Sequence, residues 1–168
     1  MPFDVFISPS QQDKVAADAA CSALEAAGIR CWIAPRDVPP GAAWPAAIID
    51  AIDHCRAMVL IFSSGANQSK LVYREVQRAF DKEVPVVPFP IENVTPEHSL
   101  AYYVETVHWL DAVTPPFEGH LKQLAVSIAA LLNNGQLQRP SRGRRAPPIG
   151  LRSSRRRNPL HGRWDNGC

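Results

Sequence analysis

The sequence predicts a doubly wound α/β domain, in which helices cover both faces of a parallel β-sheet. Short apolar runs alternate with segments of helical periodicity over residues 1–132. The middle runs are apolar throughout, as expected of strands that are buried on both faces of a parallel sheet. A closed barrel of this kind needs about eight strand-helix repeats, and the chain offers fewer. We therefore expect an open sheet between two layers of helices.

Five apolar runs predict strands because they are brief, rich in Val, Ile and aromatic residues, and bounded by Gly, Pro or Ser. They are FDVFIS (3–8), IRCWI (29–33), AMVLIF (57–62), VPVVPF (84–89) and TVHWL (106–110). Five parallel strands suit the flavodoxin-like order 2-1-3-4-5, whose topological switch point lies between the first and third strands. Ligands of such sheets bind outside the carboxyl ends of the strands there, which directs attention to the loops 8–13 and 63–70.

Helices are predicted between the strands from apolar spacing and end signals. Ser10 and Asp13 have the spacing of a capping box before the first helix, and Gly28 marks the end of that helix. Pro45 suits the first turn of the second helix. The link 90–105 predicts a poorly formed helix or a loop. The helices expected from these signals cover 11–27, 45–55, 69–82 and 117–132.

Charge divides the chain into an acidic body and a basic tail. Residues 1–132 carry 9 Lys and Arg against 15 Asp and Glu, whereas residues 133–168 carry 9 Arg against Asp165 alone. The tail mixes Arg, Pro, Gly and Ser without apolar periodicity, so we predict that it is disordered. It is either a solvated tail or linker without a function of its own, or a segment that binds nucleic acid or an anionic membrane, with Trp164 available for stacking.

Several classes of function are disfavoured by missing motifs. The chain has neither GxGxxG nor a Gly-Lys-Ser/Thr phosphate loop, which argues against a Rossmann dehydrogenase and a P-loop NTPase. A receiver domain needs acidic residues at the carboxyl end of its first strand to hold Mg²⁺. Here Ser8 and Pro9 occupy that end, and Asp4 lies at the other one.

Cysteine spacing and the amino terminus indicate a cytoplasmic protein. The four cysteines form no CxxC pair and have no His at metal-ligand spacing, so we expect no zinc site and no disulfide framework. We predict that they are buried thiols in a reducing compartment. The chain begins directly with a predicted strand, and no apolar run approaches the ~18 residues of a membrane span.

The connection APRDVPPGAAW (34–44) is longer and stiffer than most, since connections in compact domains run to about four to six residues. Its prolines, Pro39 and Pro40, restrict the backbone, so less entropy is lost when the loop docks on a partner. The plainer interpretation is that Arg36 and Asp37 pair at the surface and the prolines only turn the chain. Trp32 is expected in the core, while Trp44 either packs the base of the loop or lines a cleft.

Three motifs resemble the sequence boxes of TIR (Toll/interleukin-1 receptor-like) domains, in order and at the spacing of the family. They are FDVFISPS (3–10), RDVPPG (36–41) and HWLDA (108–112), and the resemblance, of bacterial type, covers residues 1–132. The long connection would be the BB loop of the family, which packs against a neighbouring subunit. The resemblance implies self-association through TIR-TIR contacts, with an interface at Arg36, Asp37, Pro39, Pro40 and Gly41. The sequence leaves open whether a separate sensor protein is a further partner.

TIR domains either act as non-catalytic adaptors or cleave NAD⁺ at the nicotinamide-ribose bond, using a glutamate on the helix after the third strand. Glu75 in KLVYREVQRAFDKE (70–83) matches that glutamate, and helical spacing puts it at the margin of the buried face. Spacing alone favours a solvated residue paired with Arg78 or Arg74, and the catalytic role rests on the match to the family. In the enzymes NAD⁺ is the substrate and neither cofactor nor metal is implied. The resemblance implies a role in defence, with linear and cyclic products both open.

A carboxylate suits this reaction because breaking the bond to a pyridinium gives the ribose oxocarbenium character, which a negative charge stabilises. Two positions depart from NAD⁺-cleaving members: Leu71 stands where they often have Trp, and Pro9 where Tyr or His follows the first strand. The predicted substrate-binding residues are Ser8, Pro9, Trp44 and Leu71, with Phe6 and Phe62 either supplying a ring or lying in the core.

Overall fold

The computed structural model describes residues 3–137 except 106 and 108, and only the backbone of residues 98, 136 and 137. Strands and helices alternate along it as predicted. The elements in chain order are β1 (Val5–Ser8), α1 (Lys14–Ala26, after a 3₁₀ turn at Gln11–Asp13), β2 (Cys31–Trp32), α2 (Trp44–His54), β3 (Ala57–Phe62), α3 (Ser64–Gln68), α4 (Lys70–Asp81), β4 (Val86–Pro90), α5 (His98–Val104) and α6 (Phe117–Leu137).

The described strands form one parallel sheet in the order β2-β1-β3-β4. This is the predicted order for the first four strands. Its centre is fully buried: every residue of β1 and of β3 lies inside the domain. Because β1 and β3 are neighbours, with Ser8 in register with Leu60, their carboxyl ends meet at the predicted switch point.

The predicted fifth strand, 106–110, is not found as a strand in the described part of the chain. Its segment still runs beside β4, because the Leu110 amide donates to the Pro88 carbonyl at 3.3 Å. In a parallel strand the N–H and C=O of one residue point to the same side, so Pro88 and Pro90 face the outer edge of β4. Proline has no N–H. The outer edge therefore lacks two consecutive donors, and a regular ladder with a fifth strand cannot form there.

Helices pack on both faces of the sheet, as expected. On one face α1 and α6 enclose side chains such as Leu24, Phe89 and Ile128. On the other face α2, α4 and α5 enclose Ile52 and Val76 among others. The two clusters give the sheet two apolar interfaces, which explains the uninterrupted apolar character of β3.

Helix ends match the sequence signals in part. Gly28 ends α1 with a φ of 80°, as predicted. The capping box is wrong in detail: Ser10 donates to the Asp13 carboxylate, and neither side chain accepts from the backbone of the helix. The link 90–105 contains the regular helix α5, and α6 runs to Leu137 rather than to residue 132.

The remaining expectations from composition concern thiols, metals, membranes and the tail. Cys21, Cys31 and Cys55 are buried free thiols, as predicted. Among the described residues no His, Cys, Asp and Glu cluster could hold a metal ion. No helix in this part of the chain combines the length and apolar character that a membrane span needs. Cys168 and most of the tail, from residue 138 on, lie outside the described residues, so the tail assignments stay predictions.

Candidate functional site

Glu75 lies inside the domain, where its carboxylate meets the end of β1. Its side chain, on the second turn of α4, is 6% exposed. The Ser8 hydroxyl, from the last residue of β1, donates to Glu75 Oε2 at 2.5 Å. Burial raises the pKa of Glu75 to about 7, and the Ser8 hydrogen bond opposes that rise. The carboxyl group thus changes its charge near neutral pH.

The surroundings of Glu75 contradict its interpretation as a solvated helix residue. Arg78 instead donates to Asp53 of α2, with its Nη2 at 2.5 Å from Asp53 Oδ2. Arg74 is exposed. Within the described chain no Lys or Arg pairs with the Glu75 carboxylate. A buried carboxylate that is left without a cation is a marker of functional sites, because the fold bears the desolvation penalty there.

A second buried carboxylate, that of Asp13, lies at the same edge of the sheet. Its Oδ2 accepts the hydroxyls of Ser10 and Ser63, each at 2.5 Å. Ser63 directly follows β3 and caps α3 by accepting from the Ala66 amide. Gly65 permits this packing, because a Cβ there would lie 2.6 Å from Ser10 Oγ. Asp13 is not among the site residues predicted from the sequence, although it lies in the loop 8–13 that follows β1.

We call Ser8, Ser10, Asp13, Ser63 and Glu75 the switch-point site. All five side chains are buried at the carboxyl ends of β1 and β3. They offer carboxylates and hydroxyls but no cationic group. Such a set is suited to stabilise developing positive charge or to hold sugar hydroxyls, and it is unsuited to grip a phosphate.

Two aromatic residues of the predicted substrate site belong to the core instead. Phe6 stacks on Trp32 with ring centroids 5.1 Å apart. Phe62 meets Trp109 edge-on, also at 5.1 Å. Both phenylalanines are fully buried, so in this conformation they present no ring to a ligand. Trp32 is in the core as predicted.

The other predicted substrate residues are partly buried or exposed, and they do not line the principal grooves. Pro9 is partly buried beside Ser8, while Leu71 and Trp44 are exposed on the first turns of α4 and α2. The principal grooves of the described surface are lined by neither Glu75 nor Ser8. One of these grooves, of about 470 Å³, follows α3 and the loop after β4. A substrate would reach Glu75 only after covering groups move.

The base of the 34–44 loop is tied to its own chain. Arg36 donates from Nη2 to Glu25 at 2.8 Å and to the Cys31 carbonyl at 3.0 Å, besides pairing with Asp37 at 2.8 Å. Asp37 in turn accepts from the Ile33 amide at 2.9 Å. The pairing expected by the plainer interpretation is therefore present. This pairing anchors the loop, so Arg36 and Asp37 already have hydrogen-bond partners within their own chain.

The tip of the same loop is exposed and preorganised. The Ala42 amide donates to the Pro39 carbonyl at 3.1 Å, and Gly41 has a φ of 77°. A proline followed by a residue of positive φ is typical of a type II turn, which puts Pro40 and Gly41 at its corner. Pro39, Pro40 and Gly41 are all exposed, and the exposed apolar residues Trp44 and Ile49 of α2 follow them. The loop tip and α2 thus both expose apolar side chains.

Comparison with known proteins places this arrangement in a family. The family model described as TIR domain matches residues 5–125. The fold is similar to the TIR domain of the Toll-related receptor TRR-2 from Hydra magnipapillata, with a TM-score of 0.65 and 19% identity over 76% of this chain and 98% of that one. It is also similar to a TIR-STING receptor from C. gigas in complex with 2',3'-cGAMP, with a TM-score of 0.62 and 22% identity over 75% of this chain and 39% of that chain.

A further similar structure is that of the TIR domains in the activated Roq1 resistosome, which directly recognises the pathogen effector XopQ. Its TM-score is 0.51, with 17% identity over 80% of this chain and 98% of that one. No curated protein matches the sequence. At these identities the similar structures establish the fold alone, and the bacterial type of the domain stays a prediction.

Proposed function

Because this chain belongs to the TIR domain family, we propose that it cleaves NAD⁺ at the nicotinamide-ribose bond when its copies associate. The observation that carries this proposal is the buried Glu75 carboxyl group, with a pKa of about 7, in contact with Ser8 at the switch point. A group that changes charge near neutral pH is suited to catalysis there.

In the proposed reaction the bond between the ribose C1' and the nicotinamide nitrogen breaks, and its electron pair goes to the nitrogen. Nicotinamide leaves as a neutral molecule, so no general acid is needed. The ribose gains oxocarbenium character, which ionised Glu75 stabilises directly or by holding the ribose hydroxyls. Water then attacks C1' and releases a proton, giving ADP-ribose. Attack by a ring nitrogen of adenine would give a cyclic product instead.

Ser8 is the residue that orients this carboxylate. Its hydroxyl donates to one oxygen of Glu75 and leaves the other oxygen for the substrate. Leu71 is exposed one turn before Glu75, where it adds apolar surface for nicotinamide in place of an indole. Pro9, the next residue after Ser8, extends the proposed substrate-binding surface. These assignments follow from position, and none of them requires a metal or a bound cofactor.

Self-association would explain how a catalytic Glu75 can be buried in a single copy of the domain. In a single copy Glu75 is almost inaccessible, and the loop tip, 39–43, is exposed without a partner in its own domain. Docking of that tip on a second copy would shift the loop and α2, both of which pack on the Glu75 face of the sheet. By analogy with the activated Roq1 assembly, we propose a role in defence signalling, with a sensor protein as the trigger.

One observation favours a second candidate function, that of a non-catalytic adaptor. Glu75 lines none of the principal grooves, whereas the loop tip is exposed and α2, which follows it in the chain, exposes the apolar side chains of Trp44 and Ile49. An adaptor needs only those exposed residues, and Glu75 would then be a buried core group.

Nicotinamide release separates the two functions. We expect the purified full chain, held at high local concentration on a solid support, to release nicotinamide from NAD⁺ faster than the same amount of dilute protein. The rate should rise with pH through about 7, because Glu75 must be ionised to stabilise a cation. If the clustered protein released no nicotinamide at any pH, NAD⁺ cleavage would be ruled out and the adaptor function would be retained.

Replacing Pro39 with Glu should lower assembly and NAD⁺ cleavage together, with little change in melting temperature. Pro39 is exposed at the loop tip, so a charge there disturbs a partner and hardly touches the fold. Gly41 is a poorer choice, since its φ of 77° would strain any other residue. Val126→Glu, at a 70% exposed position on α6, is the matched control. Lower cleavage at an unchanged assembled fraction would instead place the loop in its own subunit's substrate site.

A further inference from the structure

A cluster of four aromatic rings joins α4 to α5 on the outside of the domain. Tyr73 and Phe80 of α4 meet Tyr102 and Tyr103 of α5 at centroid distances of 5.1 to 6.4 Å. Phe80 is 52% exposed and Tyr102 is 71% exposed. We call these four residues the α4–α5 aromatic face. Contiguous exposed rings of this kind are typical of a surface that binds another protein segment or a ligand.

Acidic residues lie at the ends of both helices that carry the α4–α5 aromatic face. Asp81 and Glu83 lie at the end of α4, directly after Phe80, and Glu105 follows Tyr102 by three residues at the end of α5. None of these three carboxylates forms an ion pair with another described residue. Of the basic residues on this part of α4, Arg78 and Lys82 approach Asp53 of α2, at 2.5 and 3.7 Å, while Arg74 is exposed.

Exposed rings bordered by free carboxylates match the chemistry of the guanidinium group. Arginine stacks on aromatic faces through cation–π attraction and at the same time donates charge-assisted hydrogen bonds to carboxylates. Lysine does this less well, because its ammonium is compact and strongly hydrated. The face is therefore suited to an arginine-rich segment.

The chain itself supplies such a segment. Residues 138–168 contain nine Arg and no Lys, and three of the arginines are consecutive at 155–157. Seventeen residues lie between Leu137 and Arg155, so the 18 steps from one to the other span at most ~60–65 Å when extended. A domain of this size is roughly 35–40 Å across. The arginines can therefore reach the α4–α5 aromatic face, although α6 ends on the opposite side of the sheet.

We propose that the α4–α5 aromatic face is the docking surface for the arginine-rich segment 138–168 of the same chain. In this arrangement guanidinium groups stack on Phe80 and Tyr102 and pair with Asp81, Glu83 and Glu105. A second copy's identical face is a poorer occupant, because two-fold pairing would bring like carboxylates together. The proposal does not depend on NAD⁺ cleavage.

Paramagnetic NMR on the full chain tests this docking. A nitroxide is attached to Ser154→Cys in a Cys168→Ser background, next to the arginine cluster. The other three thiols, Cys21, Cys31 and Cys55, are buried and stay unlabelled. We expect selective broadening of the amides of residues 80–83 and 102–105. The broadening should disappear at about 1 M salt, where the Debye length falls to ~3 Å.

Substitutions separate the aromatic contribution from charge alone. The pair Phe80→Ser and Tyr102→Ser should abolish the broadening, whereas Val126→Ser, at an equally exposed apolar position on α6, should leave it unchanged. Melting temperatures confirm that each variant is folded. Broadening that is absent, lies elsewhere or survives the Phe80 and Tyr102 substitutions would overturn the proposal. Broadening found only when labelled copies are mixed with ¹⁵N-labelled, nitroxide-free copies would also overturn it, because docking would then be between chains.

Discussion

Replacing Glu75 with Gln should abolish nicotinamide release while the domain stays folded. The substitution keeps the size of the side chain, and the amide oxygen can still accept from Ser8, so no cavity opens. What it removes is the negative charge that faces the oxocarbenium-like ribose. Loss of one preorganised electrostatic group lowers turnover by about 10²–10³-fold in other enzymes, and a loss of at least this size is expected here. Nicotinamide release under clustering conditions measures it.

Two further variants make the result specific to Glu75. Glu118→Gln, at an exposed position on α6, removes the same charge from the opposite side of the sheet and should leave turnover unchanged. Ser8→Ala keeps the carboxylate but removes its hydrogen bond, so turnover should fall less than in Glu75→Gln. Turnover in Glu75→Gln equal to that of the unmodified chain would rule out Glu75 as the catalytic carboxylate.

The sequence predicts the strands and their order well, because burial on both faces leaves an unmistakable apolar run in β3. It fails at the sheet edge for a reason that only register reveals. In the sequence alone, Pro88 and Pro90 are compatible with a strand and do not indicate which edge of it they face. Only when β4 is paired with β3 does it become clear that both prolines face outward and remove the donors that a fifth strand needs.

The candidate site is predictable only in part for a related reason. Helical spacing places Glu75 at the margin of the buried face, but its contact with Ser8 joins positions 67 residues apart, which periodicity along one element cannot show. The same holds for Asp13, whose spacing from Ser10 suggests a helix cap. Its second partner, Ser63, reveals instead a link between β1 and β3 across the switch point.

The loop at 34–44 shows how a motif can hold two roles. All five residues predicted for the interface lie in one short stretch, yet the structure divides them. Arg36 and Asp37 are engaged with α1 and β2, whereas Pro39, Pro40 and Gly41 are free at the tip. Composition alone cannot separate an anchor from a contact surface, because the difference lies in which neighbours the side chains meet.

The pKa of Glu75 predicts that the same Gln substitution stabilises the protein at high pH. Its folded pKa is about 7, above the ordinary value of 4.5, so the folded state binds a proton more tightly than the unfolded state does. The contribution of this group to stability is therefore greatest below pH 4.5 and declines as pH rises to about 7, after which it is constant. At 1.36 kcal/mol per pKa unit, ionising the buried carboxyl costs on the order of 3 kcal/mol.

Gln carries no charge, so Glu75→Gln should escape this penalty. Its free energy of unfolding should exceed that of the unmodified chain by a few kcal/mol at pH 8, and the difference should shrink as the pH falls toward 4.5. Urea unfolding at pH 5 and pH 8 measures both values, with Glu118→Gln as the control at an exposed position. A Glu75→Gln protein less stable than the parent at pH 8 would mean that a favourable partner holds the carboxylate charged. Lost turnover together with raised stability is the signature of a group that the fold keeps for chemistry at the expense of stability.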